Sequence, residues 1–364
     1  MANNSKRNPL SFMTLNVRHD NHEHSQKTVF ATPPIKQNPF DPQEFLGEQP
    51  WSIRKWKILD TILLFMPDES VLHQIQDLEA LLGNDYQWVG VGREDGDKQG
   101  EMAAIFYKTE ILTIEDWKTV WLSETPEKVA SIGWDARHSR TATQVLFKKT
   151  QDETKFTVFN VHMDHVGVQA REESCKLILE RARMVSSEGP VFLMGDFNST
   201  RQESAYQVLV GHENQEETDT LSNLEELNNV CASAFVNKSG VPIRTAEGSI
   251  TLPTHRVLRP GRVLENMKRQ HDYFKDTRYE LLTRLKSKGA PGTVSGPFGY
   301  RDTLTSFNAG DEDVSRAPLC IDFILVLHDP QTQLQVNHHA VLPNQFDDGL
   351  YLTDHRPVLA KISW

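Results

Sequence analysis

A chain of 364 residues, 38% of them hydrophobic, can build a large core, and no apolar run reaches the length of a membrane span. A formal net charge of −11 argues against a surface built for indiscriminate grip on a polyanion. Three widely spaced cysteines, Cys175, Cys231 and Cys320, lack Cys-x-x-Cys spacing, which points to reduced thiols rather than a disulfide framework or a zinc site of that type.

In chain order, residues 1–8 read as a short polar tail with Lys6 and Arg7 and no apolar signal region, so a cytoplasmic protein is expected. A short β-like segment, Phe12 to Val17, carries the polar Asn16. Residues 19–51 are rich in Pro and Gln and read as a long loop, broken by Thr32-Pro33-Pro34 and Asn38-Pro39. Helical signals follow at 53–65 and 70–82, then strand signals at 102–107, 117–122, 141–148 and 155–162. A helix is predicted over 167–186, a strand over 190–194 and a helix over 203–210. The stretch 254–291 holds ten Lys or Arg against four acidic residues and reads as a basic insertion. Its middle, 264–285, is predicted to be a helix bearing Lys268, Arg269, Lys275, Arg278 and Arg284, either a solvated surface or a cap over phosphates. Strands at 320–327 and 357–363 complete the list. Strand-rich halves with helices between them suggest two mixed β-sheets packed face to face with helices outside, in one domain over 9–364.

The chemistry gathers where these strands end. Val191 to Met194 make an apolar strand, after which Gly195 is expected to let the backbone turn. Asp196 and Asn198, two residues apart, then project to one face. A carboxylate there can orient or deprotonate a water, and an amide can hold a phosphoryl oxygen. An isolated Gly-Asp-x-Asn is no more than an Asx turn. Here it has company: His162, Asp164 and His165 close the strand 155–162, Asp322 opens another, and Asp354-His355 precede the last. Strand ends are where catalytic side chains are commonly presented.

Asn16, Asn160-Val161-His162, Gly195-Asp196-Phe197-Asn198, Ile321-Asp322-Phe323 and Asp354-His355 resemble, in chain order, the endonuclease/exonuclease/phosphatase superfamily, which includes deoxyribonuclease I. The stretches 100–108, 121–126 and 133–137 resemble one poorly characterised microbial branch. The resemblance implies a four-layer α/β/β/α sandwich and magnesium-dependent hydrolysis of a phosphate mono- or diester, with manganese as the alternative ion. The implied substrate is a phosphorylated small molecule or a nucleic acid. It also implies the roles. Asn16, a glutamate and Asp354 lie at the metal, Asp196 positions the attacking water, and Asn198 holds an oxygen. His355 is oriented by Asp322, His162 stabilises developing charge, and Arg140 is a further phosphate contact.

Two departures stand out. In the pattern, a few apolar residues separate Pro-Asp from the metal glutamate, whereas Pro67-Asp68 runs directly into Glu69. Glu69 is the best match, with about five strand residues missing, a length of roughly 17 Å. Either Ile62 to Met66 is recruited as that strand or Glu69 lies away from the metal, and then Gln74, a neutral amide, takes the position. The second departure is Met102, where the pattern commonly has a phosphate-contacting tyrosine. The alternative to an active enzyme is therefore a catalytically weakened member acting as a binding or regulatory protein. A third reading is a nuclease gripping long nucleic acid through 254–288.

Overall fold

The computed structural model describes residues 9–18, 48–65, 67, 69–72, 74–210, 243–244, 250–251, 273–289, 298–307, 318–329 and 332–364. The first sheet is built from β1 (Leu10–Thr14), β2 (Glu69–Leu72), β3 (Tyr86–Val89), β4 (Ala104–Lys108), β12 (Phe298–Gly299), β14 (Gln335–Val341) and β15 (Val358–Ser363), ordered β12-β14-β15-β1-β2-β4-β3. The second holds β5 (Leu112–Trp121), β6 (Thr141–Lys149), β7 (Lys155–His162), β8 (Val191–Asp196), β11 (Phe274–Asp276) and β13 (Asp322–Leu327), ordered β11-β13-β8-β7-β6-β5. Both mix parallel and antiparallel pairs. A separate two-stranded ribbon joins β9 (Ile243–Arg244) to β10 (Ile250–Thr251).

Period-two alternation decides which layer each side chain joins. On β8, Phe192 and Met194 enter the core between the sheets with Phe12, Phe147, Phe156, Ile324 and Ile362. Val191 and Leu193 point the other way, toward α3 (Val168–Val185) and α4 (Ser204–Val210), where Ile178, Leu179 and Leu209 meet them. On the far face of the first sheet, α1 (Trp51–Phe65) and α2 (Ile75–Leu82) bring Ile58, Ile62, Leu78 and Leu82 against Ala104 and Phe106. The result is the expected four layers.

Gly195 is inside β8 rather than at a turn after it. Its φ is +132°, and a Cβ there would stand 1.9 Å from the Val161 carbonyl oxygen, so the glycine is needed for close approach to β7. The turn comes later, at Asn198, with φ +46°. Gly195→Ala is expected to destabilise the fold by about 2–3 kcal/mol, read from the urea midpoint, because two packed strands would have to separate.

Of the two alternatives for the segment around Glu69, recruitment of the residues from Ile62 onward as a strand is not what the described residues show. Residues 62–65 stay in α1, and the strand is taken from 69–72, shortening the predicted helix 70–82 to α2. Strands β14 and β3 were absent from the sequence reading. Gln335–Val341 interleaves Asn337, His338 and His339 with few apolar residues, so its pattern is weak. Of the basic stretch, residues 254–272 and 290–291, Lys268 and Arg269 among them, lie outside the described residues, and the helix predicted over 264–285 is not continuous, since Phe274–Asp276 pairs as β11 with β13. The rest includes α5 (Thr277–Ser287), which is tied to the body: Arg278 is buried, and Arg284 Nη2 donates to the Asn337 carbonyl at 2.8 Å. Cys175 and Cys320 are free thiols, and Cys231 lies outside the described residues. Among the described residues no helix is long and apolar enough to cross a membrane.

Candidate active site

Three neighbouring strands set the site. In the parallel pair β7–β8, His162 stands opposite Asp196; in the antiparallel pair β8–β13, Asp196 stands opposite Asp322. Histidine and two aspartates therefore form one rank across the second sheet, at the roughly 4.8 Å interstrand spacing. The first sheet contributes from the facing side. Asn16, just past β1, donates Nδ2 to Asp196 Oδ2 at 2.9 Å. His355, just before β15, joins its Nδ1 to Asp322 Oδ2 at 2.8 Å. The two sheets thus meet at this cluster, and both Asp196 and His355 are buried.

Asp196 is the hub. Its Oδ1 accepts the Asn198 backbone N–H at 2.8 Å. Its Oδ2 lies 3.7 Å from His162 Nε2 and 3.8 Å from His355 Nε2. Those last two separations exceed hydrogen-bond length. Two imidazole nitrogens therefore approach one carboxylate oxygen without bonding to it, while Asn16 does bond to it. Burial, and then the neighbouring Asp322 carboxylate, push the Asp196 acid up to about 6. Burial works against charge on His355, but Asp322, by its charge and hydrogen bond, and then Asp196 raise the imidazolium to about 10. His355 is thus a protonated donor at neutral pH. Asn198 gives one amide hydrogen to the Met163 carbonyl at 2.9 Å and keeps the second.

Arg140 is not a solvated strand-edge residue. It is buried, with Nη1 on Glu101 at 3.0 Å, Nε on Asp164 at 3.5 Å and Nη2 against His165 Nδ1 at 3.0 Å. Glu101 also accepts from Arg93 and lies 3.4 Å from His162 Nδ1. Sequence reasoning missed Glu101 and Arg93; the one available signal was that Glu101 adjoins the departure at Met102. Asp164 caps the turn into α3, accepting from the Val166 and Gly167 backbone N–H groups. Burial opposes its charge, yet Arg140 and those donors hold its acid down to about 2.

The register separates Glu69 from this cluster. Phe12 pairs with Glu69 and Thr14 with Val71, so Glu69 opens β2 about 13 Å before the level of Asn16. The strand end beside Asn16 leads instead to Gln74, whose Nε2 donates to the Arg18 carbonyl at 3.0 Å. Arg18, also missed from sequence, holds the remaining metal-site candidates. Its N–H donates to Asn16 Oδ1 at 2.9 Å and its Nη1 to Asp354 Oδ2 at 2.6 Å. The other Asp354 oxygen accepts from Thr353 Oγ1 at 3.0 Å. The donor set implied for magnesium is therefore incomplete as arranged: Asn16 and Asp354 are engaged by an arginine, and an amide stands where a carboxylate was expected. Asp196, Asp322 and His355 do offer one ligand atom each within 4.8 Å of one another, a grouping that could hold a metal ion. Binding there would require the ligating nitrogen of the His355 imidazolium to give up its proton.

No family model matches the sequence. A curated relative, an uncharacterized protein of Acanthamoeba polyphaga mimivirus, is 27% identical over 168 residues, 43% of this chain and 62% of that protein. The match thus spans less than two thirds of that relative's length. Solved structures match over nearly the whole chain. An endonuclease/exonuclease/phosphatase protein from Bacteroides vulgatus is 23% identical with a TM-score of 0.63, covering 98% of this chain and 99% of that one. A Bacteroides thetaiotaomicron mannosyl-6-phosphatase is 22% identical with a TM-score of 0.59, covering 98% and 100%. The human Nocturnin catalytic domain, solved with a sulfate anion, is 14% identical with a TM-score of 0.52, covering 98% and 95%. The two facing sheets, their outer helices and these neighbours together give this chain the endonuclease/exonuclease/phosphatase fold.

Proposed function

We propose that the protein hydrolyses a phosphate ester by attack of water at the rank formed by His162, Asp196 and Asp322, and that it belongs to the superfamily whose fold it has. The carrying observation is the meeting of two imidazoles on one buried carboxylate oxygen. Ionised Asp196 takes a proton from the water while Asn16 and the Asn198 N–H fix its orientation. Protonated His355, held by Asp322, donates toward a phosphoryl oxygen, and His162 stabilises charge beside it. Arg140 supports the site indirectly, through the Glu101 carboxylate that faces His162. A second reading, ligand binding without turnover, is favoured by Gln74 at the end of β2.

The deciding experiment is a panel of nucleotides, sugar phosphates, phosphoinositides and oligonucleotides, run with magnesium, manganese and chelator. Release of phosphate or cleaved ester from any class supports hydrolysis. Binding without turnover throughout supports the second reading. For a cleaved substrate, kcat/KM is expected to follow a bell. The acidic limb lies near pH 6, as Asp196 must lose its proton, and the alkaline limb near pH 10, as His355 must keep its own. A profile flat through pH 6 would remove Asp196 as the base.

A further inference from the structure

We infer that Arg18 is the resident cation of this site, and that the protein takes up a phosphate group through that guanidinium without needing a divalent ion. The inference rests on the reading of the site as one for phosphate esters and specifies what balances its charge. Arg18 is fixed from both ends. Its backbone sits at φ +55°, with its N–H on Asn16 Oδ1, and its carbonyl accepts Gln74 Nε2 at 3.0 Å and Arg54 Nη2 at 3.5 Å. Its guanidinium spans Asp354 Oδ2 at 2.6 Å and Glu48 Oε1 at 2.9 Å and lies 5.3 Å from the Phe307 ring centroid.

Arg18 bridges the two carboxylates and shares its single positive charge between them, with the His355 imidazolium also facing Asp354. Arg18 also consumes Asn16 Oδ1 and one Asp354 oxygen, the two oxygens a divalent ion would be expected to use. An ion would have to displace a guanidinium that bridges two carboxylates and then settle for Gln74, a neutral amide that magnesium binds poorly. Nη2 has no hydrogen-bond partner among the described residues, and the side chain is 41% exposed, so a free edge of the guanidinium remains for an anion. A planar fork of donors is well matched to phosphate oxygens.

The test uses the full-length protein and inorganic phosphate as the probe. Calorimetric titration is run in chelator and in magnesium, beside manganese titration followed by electron paramagnetic resonance. Wild type is expected to bind phosphate equally in both buffers, within about twofold, and Arg18→Gln to bind it about tenfold or more weakly, a loss of about 1.4 kcal/mol. Arg18→Lys, which keeps the charge but not the fork, should fall between them. Gln74→Glu should bind manganese about tenfold more tightly than wild type, as a carboxylate replaces an amide. Circular dichroism confirms that each variant is folded, and Gln74→Glu carries the test if the Arg18 variants are not. Phosphate binding that requires magnesium, or wild-type manganese affinity equal to that of Gln74→Glu, would overturn the inference and leave the hydrolytic reading standing. Phosphate binding under no condition would overturn both.

Discussion

Asp196→Asn is expected to lower turnover by about a thousandfold or more while leaving the fold intact, since general-base contributions run from about 10² to 10⁴. Asparagine matches the shape of aspartate and retains one acceptor oxygen, so the Asn198 N–H keeps its partner. The other position becomes an amide facing Asn16 Nδ2, and Asn16 must turn over to avoid opposed donors, giving up its bond from the Arg18 N–H. Against that, the substitution removes a buried negative charge crowded by Asp322. Stability is therefore expected to stay within about 1 kcal/mol of wild type. Kinetics on the best substrate, with a thermal melt alongside, reads both quantities. Turnover within a factor of ten of wild type would remove Asp196 from the chemistry.

His355→Ala should be worse, because it damages the fold and the reaction together. The imidazolium is buried, bonded to Asp322 and adjacent to Asp196 and Asp354, whose acid is held below the usual range: burial opposes this, but His355 and then Arg18 outweigh it. Truncation leaves buried carboxylates without their shared cation, a change that costs about 3–5 kcal/mol when one partner of a buried pair is removed. Asp322→Asn gives a cleaner reading of the same pair. It removes the largest influence holding the imidazole protonated, so the alkaline limb of the activity profile should move from near pH 10 toward acid. An unmoved limb would mean that another group titrates there.

The strands that carry the site were legible because each joins an apolar core run to a polar tip, as Val191–Asp196 and Asp322–Leu327 do. Asn16, His162, Asp196, Asp322 and His355 therefore came out of the sequence as a set, and the structure brings them together. What stayed hidden depended on register and on charge partners. Glu69 matched a motif by residue type, but pairing with Phe12 rather than with residues nearer Asn16 decides where it lies. Arg18 was hard to see because an arginine in a loop four residues past the end of a strand is usually solvent-facing. Only the folded chain shows that Glu48 and Asp354 close on it. Arg140 was recognised as a residue of interest, but its partners were not, since Glu101 and the Asp164–His165 pair come from two loops about sixty residues apart.

Lining His162, Asp196 and Asp322 abreast on adjoining strands has a consequence for how such a protein can change. Their mutual distances are fixed by backbone pairing, so lengthening or trimming a connecting loop leaves the trio in place. A single inserted residue within β7, β8 or β13 would turn one member of the trio to the opposite side of the sheet. Diversification in the descendants of such a chain is thus channelled into what surrounds the reacting atoms, while the triplet itself is inherited whole or lost.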